Sequence, residues 1–192
     1  MPRAGLSAAA VVRAAAALAD ADGLEALTLA RIAASVGVRT PSLYNHVGGL
    51  DDVRRRIALA ALRELGDALR DAAVGRAGDD ALTAMAHAYR TYARAHPGRY
   101  AATQRAPATA DADLTDAARG AVDVLLAILR GYGLEGDDAI HAARGVRSAL
   151  HGFVALETGG GFGIPVDLDE SFDRMIAALA RGVREGAAAT SR

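Results

Sequence analysis

The chain has 192 residues and a formal net charge of −1, and a quarter of its residues are alanine. It contains no cysteine, which excludes disulfide scaffolds, thiolate metal sites and cysteine nucleophiles, and all of its 22 basic residues are arginine. Its apolar runs are far shorter than the ~20 residues of a membrane span, and abundant alanine with few β-branched residues predicts an all-α protein. Residues 1–6 lack the apolar core of a signal peptide, so we expect a cytoplasmic protein.

Helix-start residues predict a long first helix and a short second one. Ser7 is the expected N-cap of the first helix, which runs to about Asp20. Thr28 is the expected N-cap of the second helix, over residues 29–36. Gly37 ends this helix, because glycine adopts the left-handed conformation that follows many helices.

A third helix and a connecting helix follow. The third helix is short and begins with Pro41 at its first position, where the missing N–H costs no hydrogen bond. The glycine pair at 48–49 ends it. The aspartate pair at 51–52 then begins a connecting helix over residues 51–74, because carboxylates suit a helix N-terminus.

The rest of the chain consists of helical patterns separated by turns. A glycine-containing turn at residues 75–78 comes first, and residues 107–113 and 159–165 are predicted loops. The predicted helices cover residues 80–95, 97–104, 111–132, 137–158 and 170–184, and residues 187–192 are predicted to be a frayed tail. About nine helices are therefore expected.

Residues 28–47 have the pattern of a helix-turn-helix, in which a turn containing glycine joins two short helices. Its predicted core residues are Ile32, Ala33, Leu43 and Val47. The side chains left for the outer face of the second helix are Thr40, Ser42, Tyr44, Asn45 and His46. Amide and hydroxyl groups on such a face suit the major groove of DNA, where an Asn side chain pairs with adenine. The alternative is an ordinary surface turn of a helical bundle.

Three segments of this region resemble the N-terminal signature of TetR-family transcriptional regulators: residues 23–33 (GLEALTLARIA), 36–38 (VGV) and 41–47 (PSLYNHV). The resemblance implies that Tyr44 and the helix caps, such as Thr28, contact DNA phosphates. It also implies a surface that reads and positions bases, formed by Arg39, Thr40, Pro41, Ser42, Asn45 and His46.

At one position the chain departs from this signature. Leu50 stands where members of the family commonly carry a phosphate-binding Lys. The arginine run at 54–56 either replaces that Lys or forms a solvated helix face. Residues 1–56 contain 7 Arg and 5 acidic residues, so the N-terminal third is only mildly basic.

Two later segments, residues 89–100 (YRTYARAHPGRY) and 151–157 (HGFVALE), resemble the regulatory domain of a subgroup of the same family. The resemblance implies a homodimer whose last two long helices pack against their mates in a four-helix bundle. Apolar residues at spacings of three and four agree with it, although ordinary core packing explains one such stripe per helix. The predicted interface residues are Val146, Leu150, Val154, Phe172, Met175, Ile176, Leu179 and Val183.

A dimer would read two half-sites about one helical turn (~34–36 Å) or a multiple apart on a pseudo-palindromic operator in double-stranded DNA. With few cationic side chains at the phosphates of each half-site, affinity is expected to require both subunits and to fall steeply with salt.

The regulatory part is expected to bind a small-molecule effector in an apolar cavity with a few polar groups. The candidate pocket residues are Met85, Tyr89, Tyr92, Tyr100, Gln104 and Phe153. Several of them recur at helical spacing, for which core packing is the alternative. Their apolar character indicates an uncharged or weakly charged effector.

Enzymatic signals are weak. No two of the five histidines have the i,i+4 spacing of a helical metal site. The glycines at 159–163 follow a helix rather than a strand, so they are not a phosphate loop. We expect no metal, cofactor or catalytic residue.

These expectations combine into a ligand-responsive, homodimeric regulator, most often a repressor in this family. The helix-turn-helix domain covers residues 1–50, the connecting helix 51–74, the ligand-sensing and dimerisation domain 75–186, and the tail 187–192. The alternatives are a small helical ligand-binding protein or enzyme that uses the C-terminal cavity, and an architectural DNA-binding protein without a ligand.

Overall fold

The computed structural model describes residues 6–104 and 111–190. Within these residues the chain forms nine α-helices, one 3-10 turn and no β-strand, which confirms the all-α prediction. The elements are α1 (Ala8–Asp22), the 3-10 turn (Leu24–Ala26), α2 (Leu29–Ser35), α3 (Thr40–Leu43), α4 (Leu50–Ala73), α5 (Gly78–Ala95), α6 (Pro97–Ala102), α7 (Ala112–Gly131), α8 (Gly136–Thr158) and α9 (Leu168–Thr190). None of the helices within residues 6–104 and 111–190 contains an apolar stretch that could span a bilayer.

Helices α1 and α2 begin at the predicted caps. The Ser7 hydroxyl accepts a hydrogen bond from the Ala10 N–H at 3.2 Å, and the Thr28 hydroxyl accepts one from the Arg31 N–H at 3.2 Å. Each hydroxyl satisfies a backbone donor that has no partner within its own helix. Gly37 follows α2 with a φ of 72°, which is the left-handed conformation expected at that position.

Other boundaries differ from the prediction. Helix α3 ends at Leu43. The residues after it form a turn, in which the His46 N–H donates a hydrogen bond to the carbonyl of Leu43, three residues earlier, at 2.8 Å. Helix α9 continues to Thr190, through residues predicted to be a frayed tail. Ala187 is buried there, and alanine has a high helix propensity. Residues 107–110 of the predicted loop at 107–113 lie outside the described residues. The rest of that loop differs from the prediction, because α7 already begins at Ala112.

The chain divides into two compact units. The first consists of Met1–Arg63 and Ala95–Asp116, and the second of Glu64–Arg94 and Ala117–Arg192. The boundaries expected from the sequence do not follow this division, because the segment Ala95–Asp116 was expected in the regulatory part and belongs to the first unit.

Gly98 explains why α6 belongs to the first unit. A Cβ added there would overlap the backbone carbonyl of Ala19 and lie 2.6 Å from the backbone nitrogen of Asp20, so only glycine lets α6 approach the end of α1 so closely. The Asp20 carboxylate also accepts a hydrogen bond from the Arg99 N–H at 2.9 Å. A side chain of α1 therefore caps the first turn of α6.

Each unit has its own apolar core. The core of the first unit contains Val11, Ala15, Ala16, Ala19, Leu27, Ile32, Ala33, Leu43, Val47, Val53, Ile57 and Ala102, which confirms the four core residues predicted for the helix-turn-helix. The largest fully buried side chains of the second unit are Leu82, Met85, Leu129, Leu150, Phe172 and Ile176.

Candidate functional site

Helices α2 and α3 and the turn between them form the predicted helix-turn-helix. Ile32 and Leu43 are fully buried and Val47 is 4% exposed. Helix α3 has only four residues, and a helix of that length is not stable alone. Its position therefore depends on these core contacts, which also decide which side chains face outward.

The residues predicted to contact DNA lie at the start of α2, in α3 and in the turn after α3. Tyr44 is 61% exposed, whereas Tyr89, Tyr92 and Tyr100 are buried. Six of the eight predicted residues are exposed and two are half-buried; the exposed ones are Thr28, Arg39, Pro41, Ser42, Tyr44 and Asn45, and the half-buried ones are Thr40 and His46.

Arg39 is the cation that this region leaves available. It is exposed at the start of α3 and has no ion-pair partner among residues 6–104 and 111–190. Arg31, in contrast, pairs with Asp22 and donates to the Ala26 carbonyl at 3.0 Å. A phosphate would meet Arg39 without first breaking an internal ion pair.

The three arginines at the start of α4 each bind a different carboxylate. Arg54 lies 3.6 Å from a carboxylate oxygen of Glu25 in the 3-10 turn. Arg55 makes two bonds to Asp111, of 2.6 and 2.7 Å, and one of 3.2 Å to Asp113. These bonds hold the pKa of the Asp111 carboxyl below its usual value.

Arg56 completes the run within its own helix. Its Nε lies 3.0 Å from both carboxylate oxygens of Asp52, and the Asp52 carboxylate also accepts a hydrogen bond from the Gly48 N–H at 2.9 Å. The Gly48 bond and the Arg56 guanidinium hold the pKa of Asp52 below its usual value. All three arginines of the run thus lie beside carboxylates of the described residues, and Arg54 makes the longest of these contacts.

The structure does not bring all six candidate pocket residues into one unit. Tyr100 and Gln104 belong to the first unit, where Tyr100 is buried and Gln104 is half-buried. The Gln104 Nε2 donates a hydrogen bond to the Thr103 hydroxyl at 2.8 Å. The other four are buried in the second unit: Met85, Tyr89, Tyr92 and Phe153. Tyr92 donates a hydrogen bond to Glu64 at 3.1 Å.

Sequence reasoning missed a buried ion pair in the second unit. Arg90 binds Glu157 through two hydrogen bonds of 2.8 and 2.6 Å, and its guanidinium carbon lies 5.5 and 4.8 Å from the ring centroids of Phe153 and Phe172. The Arg90 guanidinium holds the pKa of the Glu157 carboxyl below its usual value. The available signal was the position of Arg90, four residues after the buried Ala86 and therefore on the apolar stripe of α5.

The residues predicted for a dimer interface are mostly core residues of a single chain. Met175 and Leu179 are half-buried, whereas the other six are buried: Val146, Leu150, Val154, Phe172, Ile176 and Val183. The alternative of ordinary core packing accounts for Leu150, Val154, Phe172 and Ile176, whereas Val146 and Val183 also line a groove on the surface of the second unit.

A groove of about 370 Å³ lies between α8 and α9, on the accessible side of these stripes. Half of its lining residues are glycine or alanine, and the full lining consists of Leu134, Asp138, Ala142, Gly145, Val146, Ala178, Leu179, Gly182, Val183 and Gly186. Among residues 6–104 and 111–190, no three His, Asp or Glu side chains are placed to hold a metal ion.

Comparison with known proteins finds relatives along almost the whole chain. Residues 11–49 match the family model for bacterial regulatory proteins of the tetR family, and residues 82–179 match the tetracyclin repressor-like C-terminal domain. The chain is 42% identical over 179 residues to the uncharacterized HTH-type transcriptional regulator Rv0681 of Mycobacterium tuberculosis, covering 93% of this chain and 82% of that protein. It is 36% identical over 182 residues to the uncharacterized HTH-type transcriptional regulator YobS of Bacillus subtilis, covering 95% of each. The fold matches that of a possible TetR family transcriptional regulator from Streptomyces coelicolor A3(2), with a TM-score of 0.73 at 21% identity over 93% of this chain and 99% of that one.

Proposed function

Because the chain belongs to the TetR family, and is therefore a DNA-binding transcriptional regulator, we propose that it acts as a homodimeric repressor released by a small molecule. In this proposal residues 1–50 bind the operator and residues 51–74 connect them to the remainder. Residues 75–186 supply most of the surface for the effector and for the second copy.

The observation that carries the proposal is the exposed surface formed by α3 and by the turn that follows it at residues 44–46. Tyr44 and Asn45 are exposed directly beside the buried anchor Leu43. Residues 26–50 contain two Arg and no Asp or Glu, so no carboxylate in this segment repels phosphate. A purely solvated surface gives no reason for this combination, whereas amide, hydroxyl and aromatic groups suit base edges and sugar-phosphate.

We propose to test this function by selecting bound duplexes from a random pool with the wild-type protein. A pseudo-palindromic sequence is the expected result, because a two-fold dimer reads two half-sites. Asn45→Ala should relax the preference at one base pair of each half-site by ~1–3 kcal/mol. Tyr44→Ala should weaken binding to all duplexes alike, because a phosphate contact carries no sequence information.

The control variant is Ser148→Ala, which removes an exposed polar side chain of α8. It should select the same sequence as the wild type with unchanged affinity. An equal loss on every duplex from Asn45→Ala would refute the base-reading role of that residue. Selection of a sequence without two-fold symmetry would contradict the dimer.

The second copy is proposed to pack on the groove between α8 and α9. This groove is apolar and lined by small residues, so the axes of two helix pairs can approach closely. Of the predicted interface set, Val146, Leu179 and Val183 line the groove, and Met175 is half-buried. A four-helix bundle would then bury the groove in both copies.

The effector is proposed to be a small apolar or amphipathic molecule that enters among the aromatic residues of the second unit. Met85, Tyr89, Tyr92 and Phe153 are buried in this unit, so an effector would enter only where these apolar side chains move apart around it. Binding would favour a dimer with wrongly spaced DNA-binding units, with a coupling of ~1–3 kcal/mol. If every molecule that raises the Tm of the protein leaves operator affinity unchanged, this mechanism is wrong.

A further inference from the structure

Asp111 is fixed from two sides at the start of α7. Its carboxylate forms the two-pronged pair with Arg55 and also accepts a hydrogen bond from the Leu114 N–H at 3.2 Å. Its backbone carbonyl accepts bonds from the N–H and the hydroxyl of Thr115 at 3.0 and 2.8 Å. The Asp111 side chain is 17% exposed. The orientation of the Arg55 side chain is therefore fixed by Asp111. The Asp111 carboxylate cannot rotate away from Arg55 without losing its hydrogen bond to the first turn of α7.

The same part of α4 holds the end of the helix-turn-helix. Asp52 accepts the Gly48 N–H at 2.9 Å, and the Val53 N–H donates to the Gly49 carbonyl at 3.2 Å. The first two turns of α4 thus hydrogen-bond to Gly48 and Gly49, which follow the turn at Tyr44–His46. Through Arg55 they also bind Asp111 at the start of α7. Both sets of contacts lie within the first unit.

From this geometry we propose that Arg55 is a positioning residue for DNA binding. Its pair with Asp111 fixes the start of α4, and with it the turn that carries Tyr44, Asn45 and His46, in the arrangement that binds the operator. The inference rests on the proposed function, and it competes with a simpler role for Arg55 as a phosphate ligand in place of the Lys that Leu50 replaces.

The two roles predict opposite effects of one substitution. In a positioning role, Asp111→Asn and Arg55→Ala each lower affinity for the selected operator, about fivefold or more, and the double variant is no worse than either one. The slope of log affinity against log salt stays unchanged, because no phosphate contact is lost. Arg55→Lys restores part of the affinity, since a single charge keeps one of the two bonds.

In a phosphate-binding role, Asp111→Asn leaves Arg55 with only its 3.2 Å bond to Asp113 and therefore raises operator affinity. Arg55→Ala then reduces the salt slope by about 0.9 for each subunit. Either result would overturn the positioning role, as would unchanged affinity in all variants. The matched control is Arg63→Ala. It removes one positive charge from the same helix, where the side chain is exposed and has no ion-pair partner in the described part of the chain. We expect it to change affinity by less than about twofold.

Amide hydrogen exchange provides a readout that needs no DNA. Asp111→Asn should speed exchange of the Gly48 amide, which Asp52 protects in the wild type, and leave the amides of buried Val11 and Ala15 unchanged. Arg55→Lys serves the same measurement if Asp111→Asn does not fold. Unchanged Gly48 exchange would refute the positioning role even if no operator were found, whereas a wild type that selects no sequence would contradict only the proposed function.

Discussion

At the scale of single residues, Arg90 pairs with two carboxylates that differ in burial, Glu157 and Asp169, and we expect the loss of each to affect stability differently. The side chains of Arg90 and Glu157 are 7% and 9% exposed, so both charges have lost most of their water. Asp169, which also lies 2.7 Å from Arg90, is 77% exposed. Removing one partner of a buried pair leaves an uncompensated charge, whereas removing an exposed partner does not.

Glu157→Leu should therefore lower the free energy of unfolding by about 3 kcal/mol, because Arg90 stays buried without its main partner. Adding Arg90→Met should recover most of that loss. Both variants are to be measured by urea denaturation, with Asp169→Asn as a control that changes stability by less than about 1 kcal/mol. Additive losses in the double variant would show that the two side chains do not interact.

The same pair makes a prediction about pH. The pKa of Glu157 is lower in the folded protein than its ordinary value of 4.5, so folding favours the charged carboxylate. The stabilisation is present above pH 4.5 and is lost as the pH falls through the folded-state pKa. In the Arg90→Met/Glu157→Leu variant, this part of the acid destabilisation should be absent from a series of urea titrations at decreasing pH.

At the scale of elements, the docking of α6 on α1 depends on a position without a side chain. Gly98 lies against the backbone of Ala19 and Asp20, and Asp20 caps the first turn of α6. Sequence periodicity predicts both helices but contains no information about this contact. The contact places α6 in the first unit, although the chain reaches it only after α5.

Gly98→Ala should lower the free energy of unfolding by ~1–3 kcal/mol or more, because the added methyl group overlaps backbone that cannot move as a flexible side chain does. Gly120→Ala in α7 is the matched control. A Cβ added there meets no atom within 4 Å, so the change should be neutral or stabilise by up to about 1 kcal/mol. Equal effects of the two substitutions in thermal denaturation would contradict the close approach of α6 to α1.

At the scale of the whole molecule, the groove between α8 and α9 is the surface proposed for a second copy. Gly145 and Gly182 line it, and a Cβ added at either position meets no atom within 4 Å in the single chain. A single chain therefore has room for a Cβ at either position, and we expect a larger side chain there to obstruct a partner more than it disturbs its own chain.

Gly145→Leu and Gly182→Leu should each raise the dimer dissociation constant about tenfold or more, since overpacking a helix interface costs ~1–3 kcal/mol. Sedimentation equilibrium measures this directly. Gly131→Leu, at the exposed end of α7, is the control and should leave the association unchanged. A wild type that remains monomeric at micromolar concentration, or variants that dimerise as well as the wild type, would contradict the proposed interface.

The sequence alone determined the helical class, the capped starts of α1 and α2, and the exposed side chains of α3 and of the turn after it, Pro41, Ser42, Tyr44 and Asn45. These features depend on local signals: a hydroxyl before a helix, a glycine after it, a proline in its first turn, and the spacing of apolar residues. The partners of Arg55 and Arg90 lie 56 and 67 residues away, and only the tertiary structure decided them. It also decided that six predicted interface residues are core residues, because an apolar stripe has the same spacing whether it packs on its own chain or on another.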